Sequence, residues 1–259
     1  MKVTVTNGQP LLDIGETGLT GKVLVSSADN VGFMVYDVSL GKGQVATLKP
    51  YESGYNHTYY VMCGTASVIS EKGENVTIGP DTVMAMDADT TTTMTVSDDI
   101  RLSIGYVPKD PDHSPARFTI RKLSELEGTT GDRNMFWISG YSRRYLVKSD
   151  GYNMTVTNTT LDPNTMSPLH YKNHIEAVFM FKGSGKYVWN SGEDSHAYDQ
   201  EKHDGTMFLI NGHEAHNIYN DDKESQCICY FFPALVGHET HYFTKETTGH
   251  SVYPKDSEK

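Results

Sequence analysis

Apolar and polar residues alternate along this chain in runs of about five to nine, each closed by Gly, Asp, Asn or Ser. KVLVS, VGFMVYDVSL, YYVMCG, ASVISE, TMTVSD and RLSIGYVP lie in the first half; YLVKS, NMTVTNTTL, EAVFMFKG, KYVWN, TMFLING and CICYFFP lie in the second. A period of two sends successive side chains to opposite faces, so each run reads as a half-buried strand, and their cadence predicts an all-β sandwich or barrel. Only KLSELEG, near residue 122, reads as a helix, and a short one. It follows VPKDPDHSP (107–115), whose prolines interrupt both periodicities and mark a linker.

The two halves read as copies. KVLVSSADNVGFMVYDVSLGKGQ matches YLVKSDGYNMTVTNTTLDPN, YNHTYYVMCGTASV matches NHIEAVFMFKGSGKYV, IGPDTVMAMDADTTTTMTVSDD matches KHDGTMFLINGHEAHNIYNDD, and RLSIGYVP matches QCICYFFP. The offset stays near ~120 residues and grows through small insertions, the mark of a duplicated barrel rather than a short-period solenoid. Expected domains are 1–110, a linker at 111–117, and 118–259; the chain is long enough for two cores.

Charge and composition remove several function classes. With 33 acidic against 22 basic residues the formal charge is −11, which argues against a nucleic-acid partner. No run approaches the ~18 apolar residues of a membrane span, and MKVTVTNGQP lacks the apolar segment of a signal peptide, so the expectation is a cytoplasmic protein without a membrane partner. Cys63, Cys227 and Cys229 form an odd set without CxxC spacing and read as reduced thiols. The four Asn-x-Ser/Thr matches, such as Asn75-Val-Thr, then read as accidental.

Candidate chemistry concentrates in HYKNHIEAVFMFKG (170–183), where His170, Lys172, His174 and Glu176 occupy alternate positions. On a strand they would share a face with Val178 and Met180. Either this is a solvated edge, or it is the polar mouth of a barrel whose members bind a ligand or one another, since burying them alone is costly. A second segment, GTMFLINGHEAHNIYN (205–220), supplies further histidines.

Together the two segments resemble the paired motifs of the cupin superfamily. His170, Glu176 and Gly183 fit the first motif, with Lys172 in place of a His; Gly205, His216 and Asn220 fit the second, with Asn211 and His213 replacing the Pro and Gly of its turn. Residues from about 118 onward are more specifically similar to ectoine synthase, a cupin that cyclises an acetylated diaminobutyrate, through YSRRYLVKSDG, HYKNHIEAVFMFKGSG, GTMFLINGHEAH, CYFFPALVGHETH and a final VYP. The resemblance implies a tandem pair of jelly-roll β-barrels (a bicupin) with a degenerate N-terminal copy. It also implies a metal-dependent lyase that eliminates water with ring closure on a small amino-acid-like substrate. An Fe(II)-dependent oxygenase and a metal-free small-molecule-binding bicupin are the alternatives, and a homodimer is a possible assembly.

In that family a Glu, a Tyr and a His hold iron. These positions fall on Glu176, Phe208 and His216, so Phe208 offers no oxygen and strand parity makes His170 or His174 the candidate third ligand. Fe(II) is the implied metal, with Zn(II) or another divalent transition metal as alternatives. Arg144, Thr159, Phe231, Glu239 and His241 fall at substrate-binding positions. Glu239 and His241, which would share a face of an extended strand, fall at positions suited to a general base and its orienting partner. Trp137 lies a few positions ahead of the family tryptophan, and Phe232 replaces the Asn of an NPP string.

Each residue also has a plain structural reading. His213 reads as a solvated turn residue, Cys229 as a core thiol, Arg144 beside Arg143 as a surface pair, and GEDSHAYDQEKHDG as an acidic loop. Aligning Gly64 with Gly183 places His57 at the position of Glu176 and Thr92 at that of His216. The run Thr90–Thr93 makes a poor metal site, so the first barrel reads as an interface or lid, with an organic pocket lined by Tyr36, Tyr59 and Met84 as the alternative.

Overall fold

A computed structural model describes residues 1–70, 72–127, 129 and 133–241; the final VYP string lies outside the described residues. The β-branched and aromatic runs form antiparallel strands, and two short α-helices accompany them, Leu123–Leu126 and Gln200–His203. None of the described helices is long and apolar enough to cross a membrane. The chain divides into two units, one of residues 9–125 with 150–153 and one of residues 1–8, 126–149 and 154 onward.

In the unit of residues 9–125, a nine-stranded sheet runs in the order Phe118–Lys122, Thr82–Met86, Tyr55–Ile69, Thr92–Pro108, Met34–Leu40, Thr20–Val25 and Leu12–Asp13. Two strands join it off this path, Val45–Leu48 against Thr92–Pro108 and Asn75–Ile78 against Tyr55–Ile69. Two strands are far longer than the expected runs. YYVMCG and ASVISE merge into the 15 residues of Tyr55–Ile69, and TMTVSD and RLSIGYVP into the 17 of Thr92–Pro108. The pairing survives because its register shifts between Val61 and Ala66, around Gly64 at φ +80°, so the chain bends without ending the ladder.

The other unit holds two sheets. Seven strands run in the order Lys2–Val5, Thr206–Ile210, Ile175–Lys182, Ser225–Phe232, Thr155–Leu161, Tyr141–Leu146 and Asn134–Phe136; four more run in the order Met166–Leu169, His216–Asn220, Ser184–Trp189 and Asp194–Asp199. Leu161, Val178, Met180, Tyr187, Phe208, Ile218 and Phe231 belong to one buried core. GEDSHAYDQEKHDG is not a loop: it forms the strand Asp194–Asp199 and the helix Gln200–His203, whose first turn is capped by Asp199 accepting from the Glu201 amide at 3.1 Å.

The expected boundaries differ from this division at both ends. MKVTV, which stands apart from the predicted runs, supplies the edge strand Lys2–Val5 paired with Thr206–Ile210, while Phe118–Lys122 pairs with Thr82–Met86 in the first sheet. Strand membership here is set by pairing partner rather than by chain position. Within that altered frame the repeat is visible element by element. The 3-10 turns Ser27–Asp29 and Lys148–Asp150 precede the seven-residue strands Met34–Leu40 and Thr155–Leu161. Gly64 and Gly183 both adopt positive φ, and a Cβ would collide with the Asp99 backbone at the first and with Ser225 at the second.

Candidate active site

Strand alternation builds one wall of a small cavity in the second unit. Glu176 and Val178 on Ile175–Lys182, and Cys227, Cys229 and Phe231 on Ser225–Phe232, face inward at two-residue intervals. Glu176 sits directly opposite Phe231 in the ladder, and Thr159 opposite Cys227. Leu169, Tyr187 and Ile218 come from the four-stranded sheet, and Trp137, Tyr171 and His241 join the lining from non-strand segments.

Glu176 is 3% exposed, and its Oε2 has no hydrogen-bond partner among the described residues. Burial, with the adjacent Cys229 thiol adding to it, holds its carboxyl well above the ordinary carboxylate range. A cation would reverse that preference, because it replaces the hydration that the carboxylate has lost. His216 is fully buried, and its Nδ1 lies 2.9 Å from the Glu214 carbonyl, so Nδ1–H donates there and the lone pair resides on Nε2, the tautomer suited to ligating a metal. Its ring packs beside those of Tyr171 and Tyr187, with centroids 6.0 and 5.7 Å away. Tyr187 is fully buried and its hydroxyl also lacks a partner among the described residues. Burial first, then neighbouring Cys227 and Glu176, push its phenol well above the usual value.

These residues fit a divalent metal in kind: one buried carboxylate oxygen without a partner, one imidazole in a ligating tautomer, and one bare phenol. Among the described residues no three His, Cys, Asp or Glu side chains gather as a metal site, so a third protein donor has to be of another type. His170 and His174 do not fill that place. The strand begins only at Ile175; the backbone bends at Lys172 and Asn173, which destroys the parity that would stack 170, 172, 174 and 176. His174 points its Nδ1 at the Pro233 carbonyl, 3.0 Å away; like His216, neither histidine is among the residues that line the cavity.

The other predicted residues separate into two groups. Thr159, Phe231 and His241 line the cavity. His241 lies with its Nε2 3.4 Å from the Tyr171 hydroxyl and its ring 5.7 Å from that of Trp137; burial, then the charges of Arg144 and His216, lower its pKa to about 3. Arg144 and Glu239 do not line the cavity. Nor is Arg144 a surface residue: each is 1% exposed, and they clasp one turn. The guanidinium donates to the Gly237 carbonyl and, at 2.7 Å, to the Glu239 carbonyl, while the Glu239 carboxylate accepts from the amides of Val236 and Gly237. With its carboxylate held by those amides, Glu239 shares no strand face with His241.

Asn220, the last residue of the second motif, is structural: its amide donates to the Leu161, Asp162 and Lys223 carbonyls, and its oxygen accepts from Tyr198 and Ser225. His213 is exposed, at φ 55°, with Nδ1 2.8 Å from the Tyr171 carbonyl. Tyr171, Tyr187 and Cys227 escaped the sequence reading of the site, and Trp137 enters it despite its offset. KYVWN does place Tyr187 and Trp189 on one face, but period alone cannot say that this face looks inward.

In the first unit, His57 sits opposite Met86 and Tyr106, as Glu176 sits opposite Ile210 and Phe231. The equivalent position is closed. His57 is fully buried with Nε2 3.0 Å from the Thr90 carbonyl and Nδ1 2.8 Å from the Tyr59 hydroxyl, so a neutral ring donates to the first and accepts from the second. Tyr36, Tyr59 and Met84 are buried in that unit's packed core.

A family model described as ectoine synthase matches residues 118–253. L-ectoine synthase from Mycolicibacterium vanbaalenii is 32% identical over 122 residues, covering 47% of this chain and 88% of that protein. The Bordetella parapertussis L-ectoine synthase is likewise 32% identical, over 123 residues, covering 47% of this chain and 88% of that protein. Among solved structures, the E. coli protein Ylba aligns at TM-score 0.68 with 13% identity, covering 89% of each chain. An oxalate decarboxylase OxdC mutant from Bacillus subtilis aligns at 0.62 with 11% identity, covering 90% of this chain and 77% of its own. The fold is that of a bicupin.

Proposed function

The chain belongs to the ectoine synthase family, and on that footing we propose that its second barrel is a metal-dependent lyase that closes a ring in a small, polar, amino-acid-like substrate with loss of water. The observation that carries this reading is a buried carboxylate, Glu176, with a bare oxygen in the same aromatic-walled cavity as the neutral imidazole of His241.

Glu176 and His216 would hold the metal, Fe(II) or another divalent transition ion, which when bound supplies Lewis acidity to a carbonyl oxygen. The chain's own residues do the rest. Thr159 and Ser142 offer hydroxyls to polar groups of the substrate, and Trp137, Tyr171 and Phe231 displace water around it. When an amine nitrogen closes on an amide carbon and the carbonyl oxygen leaves as water, two protons must pass from nitrogen to oxygen. His241, neutral near pH 7, can accept a hydrogen bond from the amine and orient it, while its lowered pKa keeps it from holding a proton between the two transfers. Arg144 and Glu239 act as positioning residues that hold the 237–239 turn preceding His241. Phe208, packed behind Tyr187 in the same core, makes the surroundings more apolar than the family pattern, so N-γ-acetyl-diaminobutyrate should be a slow substrate and another amide-bearing amine the better one.

The test is metal analysis followed by NMR of the Fe(II)-loaded protein with N-γ-acetyl-diaminobutyrate under argon and under air. About one metal ion per chain is expected, lost in the Glu176→Ala/His216→Ala double variant, with slow ring formation independent of oxygen. Oxygen consumption would move the reading to an Fe(II) oxygenase, and failure to take up metal would move it to a metal-free binding barrel.

A further inference from the structure

We infer that Tyr187 supplies the oxygen donor of this centre, from the wall opposite Glu176, so that the metal is held by Glu176, His216 and the Tyr187 phenolate. The inference rests on the metal-dependent reading above and adds a ligand that neither the paired motifs nor strand parity points to.

Four observations converge on Tyr187. Its hydroxyl is buried without a partner among the described residues, a state that is costly unless something binds it. It lines the same cavity as Glu176, whose Oε2 is bare in the same way. Its ring plane is set by two neighbours: it stacks on Phe208 with centroids 4.0 Å apart and planes 17° from parallel, and lies nearly parallel to His216 at 5.7 Å and 19°. Finally, Tyr187 sits on Ser184–Trp189, hydrogen-bonded to His216–Asn220 with Tyr187 opposite Ile218 and His216 opposite Trp189, so phenol and imidazole are diagonal neighbours in one sheet.

Tyr198, on the adjacent strand, shows the contrast. It is equally buried and meets Phe208 edge to face, with centroids 6.4 Å apart, but its hydroxyl donates to the Asn220 side chain at 3.0 Å. Of these two phenols beside Phe208, only the Tyr187 oxygen is unsatisfied. Phe208 then has a defined part: it cannot donate, but it is the flat platform that sets the Tyr187 ring. Coordination removes the phenol proton, which leaves to solvent or to a neighbouring base, and the phenolate with Glu176 gives an anionic oxygen pair that suits a hard, oxidised iron as well as a divalent ion.

The experiment uses Fe(III) nitrilotriacetate as probe with the full chain, read by iron analysis, visible absorption and electron paramagnetic resonance. Wild-type protein should bind iron and show a phenolate-to-Fe(III) charge-transfer band. Tyr187→Phe should lose the band and bind iron roughly tenfold or more weakly, whereas Tyr198→Phe should keep both. Circular dichroism and thermal melting establish that Tyr187→Phe is folded; if it is not, the wild-type spectrum decides alone, since a bound iron without a phenolate band overturns the assignment. Iron bound through Glu176 and His216, with the same spectrum in Tyr187→Phe as in wild type, would remove Tyr187 while leaving the metal-dependent reading intact. No iron uptake by wild type would remove both.

Discussion

Tyr187 covers Phe208 face to face, and both rings are wholly withdrawn from solvent. Because the two residues come from different sheets, this single contact couples the carboxylate-bearing wall to the imidazole-bearing one. Phe208→Ala should therefore leave a cavity that the sheets cannot collapse into, costing about 3–5 kcal/mol of stability. Urea denaturation measures it; a shift in midpoint worth under about 1 kcal/mol would mean the stack is not under load.

The Arg144–Glu239 clasp predicts a different kind of loss. Removing one partner leaves a charge buried at 1% exposure, so Arg144→Ala should cost about 3–5 kcal/mol. Glu239→Gln keeps one acceptor oxygen for the Val236 and Gly237 amides and should cost less than Arg144→Ala. If both residues served only to bind substrate, thermal melting of the two variants would match wild type.

His57 makes the stability of the first unit depend on pH. Burial lowers its pKa from 6.5 to about 4. The unfolded chain takes up a proton below pH 6.5 and the folded chain only near pH 4, so stability is fully present above pH 6.5 and falls as pH drops through that window, by roughly 3 kcal/mol. Comparing wild type with His57→Gln from pH 7 to pH 4 isolates the effect, since the amide does not titrate. Parallel curves for the two proteins would remove His57 as the cause.

Gly183→Ala should destabilise far more than Gly192→Ala. Both glycines have positive φ, near +90°, so each substitution carries backbone strain, but only at 183 does the new Cβ strike Ser225, while at 192 it meets open space. The difference between the two melting temperatures reads the collision alone. Equal losses would show that φ dominates at both sites.

Much of this protein was legible along the chain because strand alternation, turn residues and motif spacing are local properties. They expose the β architecture, the duplication, the equivalent glycines at 64 and 183, and Glu176 and His216 as the residues to examine. Pairing and facing are not local. Lys2–Val5 leaves the first unit for a partner more than 200 residues away, and a bend at Lys172 and Asn173 removes His170 and His174 from the face that periodicity gave them. Arg144 and Glu239 carry the residue types of a binding site, yet both are engaged by the turn they hold. Tyr187 has no motif to announce it. Its alternation allowed either face, and only the packing of one sheet on the other turned it into the cavity that Glu176 also lines and its ring onto Phe208, because which side of a strand is inside depends on what lies across the barrel.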